Sequence, residues 1–255
     1  MSNYKYCVGA IFESKSGGKF EIIEIVDCNY VKIRFLDEFQ FEKIVKKDLI
    51  RKNSVKNPYK PTIFGVGYFG VGPYRAKYGS AAKGARSSVE YNTWQNMLQR
   101  CYYDKCISRV SYNSVSVCNE WHNFQNFAEW YCSKAKIFKG NVVGRLHVDK
   151  DIISKGTSSV YSPETCCLIP QEINAFFIGQ NRHKVTGLPS SIIKSTNGYR
   201  IPQLHGHILN KEFSSLEDAV SFRDKFKRQV LNSLIMKYFD VLEDRVIDAL
   251  VNYYA

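Results

Sequence analysis

The chain has 255 residues, 44% of them hydrophobic and 24% charged, with a net charge of +12 and a pI near 9.2. That apolar content supports a packed core and excludes wholesale disorder, and no apolar run approaches the ~18 residues that a membrane-spanning helix needs. The cationic surplus points instead to a polyanionic partner, with nucleic acid ahead of an anionic membrane surface.

The first residues, MSNYKYCVGAIF, carry no long apolar stretch or small-residue cleavage site, so no signal peptide is expected and the expected location is the cytoplasm. Eight cysteines without a secretory signal read as reduced thiols rather than a disulfide set. The charge is concentrated: between Arg51 and Lys105, ten lysines and arginines stand against Glu90 and Asp104, a surplus of +8. Arg75, Lys77, Lys83, Arg86 and Arg100 lie in that stretch and are the candidates for tracking phosphates.

Residues 1–55 read as a small β unit. FEIIEIV (20–26) and VKIRFL (31–36) are rich in β-branched and aromatic residues, and Ser16-Gly17-Gly18 and Asp27-Cys28-Asn29 are turn candidates. Residues 56–86 are rich in glycine and tyrosine. GVGYFG fits GxGxxG but no helix-like run follows it, and GxxxxGK[ST] is absent, so a flexible basic linker or DNA-contacting strap is expected rather than a nucleotide site.

Helical periodicity begins at Ser87, where Ser87-Ser88-Val89-Glu90 resembles a capping box, and Trp94, Met97, Leu98 and Cys101 follow on one face. A second helix over 120–132 carries Trp121, Phe124, Phe127 and Trp130, a stripe better suited to a core than to base stacking. Cys101, Cys106, Cys118 and Cys132 lack the paired spacing of structural zinc. RLHVDKDII (145–153) then reads as a strand, SKGTSSVYSPE as a loop, CCLIP as a second strand and QEINAFF as a helix start. Asp149 and Asn174 are the right types in the right places to hold a hard cation through oxygen. His147 shares a strand face with Asp149, so its imidazole is the candidate base.

The last segment predicts a hairpin over Ser191–Lys194 and Tyr199–Leu204 around Asn197-Gly198, and a third strand over His207–Phe213. A capping box, Ser214-Ser215-Leu216-Glu217, then opens a long helix whose Ala219, Phe222, Phe226 and Val230 pack on the sheet. Lys194, Arg200, Gln203 and His205 are the candidates for contacting DNA from the open face, although a period of two places them on both faces unless the register shifts. A final amphipathic helix is expected within 241–254.

The run W94-x2-M97-x2-R100-C101-Y102, VCNEWHNFQNFAEW (117–130), VDKDIISKG (148–156), YSPETC (161–166) and QEIN (171–174) resembles phage-encoded HNH homing endonucleases, over residues 87–178. KIRFLD (32–37) and NPYKPTIFGVGYFG (57–70) resemble the N-terminal segment of the same proteins. GLPSSI (187–192), GYR (198–200) and EFSSLEDAVSF (212–222) resemble their C-terminal apetala-type (ethylene-response-factor-like) DNA-binding domain. The resemblance implies an α+β chain in four parts: a small β domain (1–55), a basic linker (56–86), a ββα-metal nuclease domain (87–183) and an apetala-type domain with C-terminal helices (184–255). It implies cleavage of double-stranded DNA with Mg²⁺ or Mn²⁺ held by Asp149 and Asn174.

Two positions depart from that family. Where its active sites place a histidine base directly after the metal-binding aspartate, this chain has Lys150, and where YxPENC has asparagine, it has Thr165. A lysine between Asp149 and Asp151 keeps its proton, so Lys150, with Lys155, reads as a phosphate contact. These departures keep a second expectation open: a DNA-binding or host-protein-binding factor, regulatory or anti-defence, on a nuclease scaffold that no longer cuts.

Overall fold

A computed structural model describes residues 6–79, 84–103, 115–140, 144–178 and 187–254. It divides into two compact units, Met1–Cys132 and Ser133–Ala255, and is of mixed α+β class. No helix among the described residues is long and apolar enough to cross a membrane.

In the first unit, strands β1 (Ile11–Ser14), β2 (Gly18–Ile25), β3 (Tyr30–Phe35) and β4 (Glu42–Lys46) form an antiparallel meander in chain order. Alternation drives it: Phe20, Ile22, Val31, Ile33, Phe35 and Val45 point to one side and are buried together with Ile50 and Val55. Ile50 belongs to the short helix α1 (Lys47–Arg51). On the opposite face Arg34 reaches across to Glu21 and Glu42, and Lys32 also pairs with Glu42. The turn expected at Asp27 forms because its carboxylate accepts the N–H groups of Asn29 and Tyr30.

The stretch expected as a flexible linker is packed over much of its length. Gln125 accepts the N–H of Tyr74 and donates to the carbonyls of Phe69 and Tyr74, clamping that backbone. Its glycines permit close approach: a Cβ on Gly67 would lie 2.5 Å from Leu98 Cδ1 and 3.0 Å from the Trp94 ring. Trp94 cannot move aside, since it is fully buried and its Nε1 donates to the Trp121 carbonyl. Gly67→Ala should therefore cost about 1–3 kcal/mol in urea unfolding, whereas the same change in a free linker would cost almost nothing. Beyond the packed portion, β5 (Lys77–Tyr78) and β6 (Arg86–Ser87) pair as a short antiparallel ribbon.

Helix α2 (Val89–Tyr102) buries Trp94, Met97, Leu98 and Cys101, as its spacing predicts. Its cap is one residue later than the expected box: Ser88 accepts the Tyr91 N–H, and Glu90 instead accepts a hydrogen bond from the Tyr78 hydroxyl. A two-residue strand, β7 (Ser116–Val117), and a 3-10 turn (Asn119–His122) precede helix α3 (Phe124–Phe138). Trp121, Phe124 and Phe127 are buried, so the aromatic stripe is core. Cys106, one of the spaced cysteines, lies outside the described residues. No disulfide joins the described cysteines to one another.

In the second unit, β8 (Leu146–Asp149) pairs antiparallel with β10 (Cys167–Pro170), and helix α5 (Gln171–Phe177) follows β10 directly. Between the two strands lie a helical turn, α4 (Asp151–Ser154), and the short strand β9 (Val160–Tyr161). The expected continuous strand over 145–153 is thus cut at Asp149, whose Oδ1 accepts the N–H groups of Asp151 and Ile152, both at 2.8 Å, and so starts the turn. The same unit holds a three-stranded antiparallel sheet, β11 (Ile193–Ser195), β12 (Gly198–Leu204) and β13 (His207–Phe213). Helix α6 (Leu216–Tyr238) packs on one of its faces, capped by Ser215, which accepts the Asp218 N–H. Helix α7 (Asp244–Val251) follows.

Candidate metal and nucleic-acid site

The ββα order places His147 and Asp149 on one face of β8, two residues apart, opposite the buried Ile169 and Cys167 of β10. Helix α5 brings Asn174 to this face. Its amide Nδ2 lies 3.3 Å from His147 Nδ1.

Burial by this apolar surround raises the Asp149 carboxyl above its ordinary value, and the two backbone N–H bonds oppose that only in part. The Cys167 thiol, packed beside it, is likewise pushed up by burial and then by the Asp149 charge. A carboxylate that is costly to ionise in its pocket is one that a cation would stabilise. Asp149 uses Oδ1 for the helical turn and makes no hydrogen bond through Oδ2 among the described residues. One carboxylate, one amide and one imidazole suit a hard or borderline divalent ion such as Mg²⁺ or Mn²⁺. Among the described residues no group of three or more His, Cys, Asp or Glu side chains is placed to hold a metal, so the fit rests on Asp149 with the Asn174 amide.

The amide also sets the imidazole. With Nδ2 donating to His147 Nδ1, the ring carries its proton on Nε2; with the amide turned over, Oδ1 accepts from Nδ1–H and Nε2 keeps a lone pair. Only the second arrangement leaves a basic nitrogen pointing away from the amide. Asn174→Asp removes the choice, because a carboxylate can only accept. The His147 ring should then sit with its proton on Nδ1, read from its ring-nitrogen chemical shifts against those of the wild type.

Lys150 is turned inward. Its side chain is 10% exposed, and its ammonium donates to Asp151 and to the Ser158 carbonyl, with the Tyr161 ring 5.9 Å away. Thr165 is also spent locally: its hydroxyl donates to the Val160 carbonyl and accepts the Ser162 N–H, closing the turn into β10. Lys155 ends the helical turn in a left-handed conformation and is exposed.

One positioning element has no counterpart in the sequence reading. Arg245 of α7 donates to three backbone carbonyls of the segment before β10: Glu164 at 2.8 Å, Pro163 at 3.2 Å and Cys166 at 2.8 Å. Its Nε donates to Glu243, which Lys134 also pairs at 2.9 Å. A guanidinium fork suits this task because it offers five donors in one plane. No local pattern flags such a residue, since its partners lie about eighty positions away.

The basic candidates separate into groups. Arg75, Lys77 and Arg86 are exposed on or beside the β5–β6 ribbon, and Lys83 lies outside the described residues. Arg100 sits on α2, with its Nε bonded to the Asn96 carbonyl. On the C-terminal sheet, Ile201 and Leu204 both face α6, because the β12–β13 register shifts between Ile201 and Gln203. Pro202 lies at the shift and has no N–H to offer the ladder. Arg200 and Gln203 therefore share the face away from α6, beside Ile193, Glu212 and the 80% exposed Ile208. Lys194 pairs with Tyr199 on the helix side, and His205 occupies the β12–β13 turn, so neither joins Arg200 and Gln203.

Comparison with known proteins found no matching family model, no matching curated protein and no matching solved structure.

Proposed function

We propose that the chain is a divalent-metal-dependent DNA endonuclease of the HNH type, carrying a DNA-binding sheet in its C-terminal part. The observation that carries this reading is the meeting of Asn174 with His147 across the ββα element, on the strand face that also bears Asp149. Asp149 and Asn174 would hold the cation, which when bound supplies charge to offset that developing on the scissile phosphate. His147 takes a proton from the attacking water at Nε2, with Asn174 Oδ1 fixing the ring through Nδ1–H. Lys155 contacts the substrate backbone. Arg200 and Gln203, now on one face, are the side chains for reading base edges, and Arg75, Lys77 and Arg86 track phosphates. The test is nicking of supercoiled duplex DNA with Mg²⁺ or Mn²⁺, against the same reaction with chelator. Metal-dependent nicks are expected, and their absence across diverse sequences would overturn the reading.

The burial of Asp149 gives the site a pH signature. Its folded pKa lies above the ordinary 3.8, so its contribution to stability is fully present below that value and is lost as pH rises through the raised one. A bound cation reverses this loss only where the carboxylate is ionised. Thermal stabilisation by Mg²⁺ should thus be small near pH 4 and grow toward neutrality, with protons released on binding.

The inward-turned Lys150 favours a second reading, in which the same scaffold binds DNA, or a host protein, without cutting. That protein would bind duplex DNA with steep salt dependence, gain nothing from metal and tolerate Asp149→Asn.

A further inference from the structure

We propose that His205 is a positioning residue for the candidate site: its ring braces helix α5 from behind and so holds Asn174 against His147. The proposal deepens the reading of that site and rests on it only where metal is concerned. Helix α5 cannot hold its own place. It spans the seven residues Gln171–Phe177, and no side chain caps its N-terminus. A helix this short depends on what packs around it. Asn174 and Phe176 are two residues apart, about 200° around the helix axis. The side that presents Asn174 to His147 is therefore opposite the side that carries Phe176. Whatever grips Phe176 fixes how far Asn174 reaches.

Contacts reach α5 from the C-terminal part of the second unit. Lys237 pairs with Glu172 at 2.7 Å, but both side chains are about half exposed, so the pair contributes little. Phe177 meets Tyr253 edge-on, at 4.8 Å and 72°. Phe176 is only 2% exposed, and the His205 ring lies on it face to face, at 4.3 Å and 15°. That stack is the buried contact on the back of the helix, and it comes from the β12–β13 turn.

Neither the turn nor a hydrogen bond explains a histidine there. His205 is the first of two residues joining Leu204 to His207, with φ of 47°, and Gly206 follows with φ of 81°. Such a turn favours asparagine at its first position, and histidine is tolerated rather than preferred. The His205 Nε2 is sealed from solvent and has no hydrogen-bond partner among the described residues, which is a cost and not a gain. What the ring does is stack. Burial, and then the charges of Lys227 and His207, hold His205 down to about 4, so the ring rests on Phe176 as a neutral imidazole near neutral pH. The strand that carries Arg200 and Gln203 thus ends in the brace for the helix that carries Asn174.

The experiment compares the full-length wild type with His205→Asn, which suits the turn but removes the ring, in metal-free buffer near neutral pH. Amide exchange across α5, taken relative to β8 and β10, should rise about fivefold or more while unfolding stays cooperative. The His147 ring-nitrogen shifts should move toward those of a free imidazole, because Asn174 no longer fixes the tautomer. A residue that only supported its turn would leave them unmoved. Phe176→Leu should act in the same direction, and the double variant should do no more than the larger single change. With Mn²⁺ added, His205→Asn should bind the ion about tenfold more weakly, and its affinity for duplex DNA should match the wild type. The His147 shifts are read without metal, so a wild type that binds no Mn²⁺ would overturn the metal reading and not the brace. Wild-type α5 exchange and His147 shifts in His205→Asn would overturn the proposal, and weakened duplex binding alongside them would make His205 a DNA contact instead.

Discussion

Replacing Asp149 with asparagine should leave the protein folded and abolish metal-dependent DNA cleavage, by at least a hundredfold in nicking rate. Replacing it with alanine should do both kinds of damage. The difference follows from the two roles of one side chain. Oδ1 accepts the N–H groups of Asp151 and Ile152 and so starts the helical turn Asp151–Ser154, a task asparagine performs equally well. Alanine cannot, and loss of such a cap costs about 1–2 kcal/mol. The charge, by contrast, is what a divalent cation needs, and neither replacement supplies it. Chemical denaturation in metal-free buffer near neutral pH should therefore place Asp149→Asn at or above wild type, because the amide keeps the cap without a charge to bury, and both above Asp149→Ala, with both variants inactive. Were Asp149→Asn to nick DNA at the wild-type rate, Asp149 would be a structural cap only.

The second large effect belongs to Arg245. Removing its guanidinium in Arg245→Ala strips the carbonyls of Pro163, Glu164 and Cys166 of a shared donor, while Glu243 keeps Lys134 as its partner. Arg245 is about one-third exposed, so water replaces part of what is lost. A cost of about 2–3 kcal/mol is expected, the range for leaving partly buried acceptors unpaired. Because these carbonyls lie immediately before β10, and β10 pairs with the strand carrying His147 and Asp149, the loss should also loosen the site. Hydrogen exchange should rise first across 163–170. Arg245→Lys should recover little, since an ammonium cannot reach three carbonyls in one plane. Unchanged exchange in that segment would show that the strand pairing alone fixes it.

The sequence was most legible where one period governs. Alternation exposed the N-terminal meander, and helical spacing exposed the buried faces of α2 and α3. The cap of α2 was misplaced by one residue, because Ser87 and Ser88 are chemically equivalent and only the backbone chooses between them. At the candidate site, His147 and Asp149 were placed on one face by the strand period, and the approach of Asn174 follows from a helix that begins as soon as β10 ends. Lys150 could not be placed, since its inward turn depends on the Ser158 carbonyl in a loop without periodicity. The shared face of Arg200 and Gln203 hangs on the register shift, for which Pro202 inside a strand was the available signal.

The most direct test of the metal site is a titration with Mn²⁺ below one equivalent, observing paramagnetic broadening of side-chain resonances. A cation held by Asp149 and Asn174 should broaden the His147 ring and the Asn174 amide first, with Mg²⁺ competing the effect away and Asp149→Asn removing it. Broadening that spares both groups, or that persists in Asp149→Asn, would contradict a metal centre on this face.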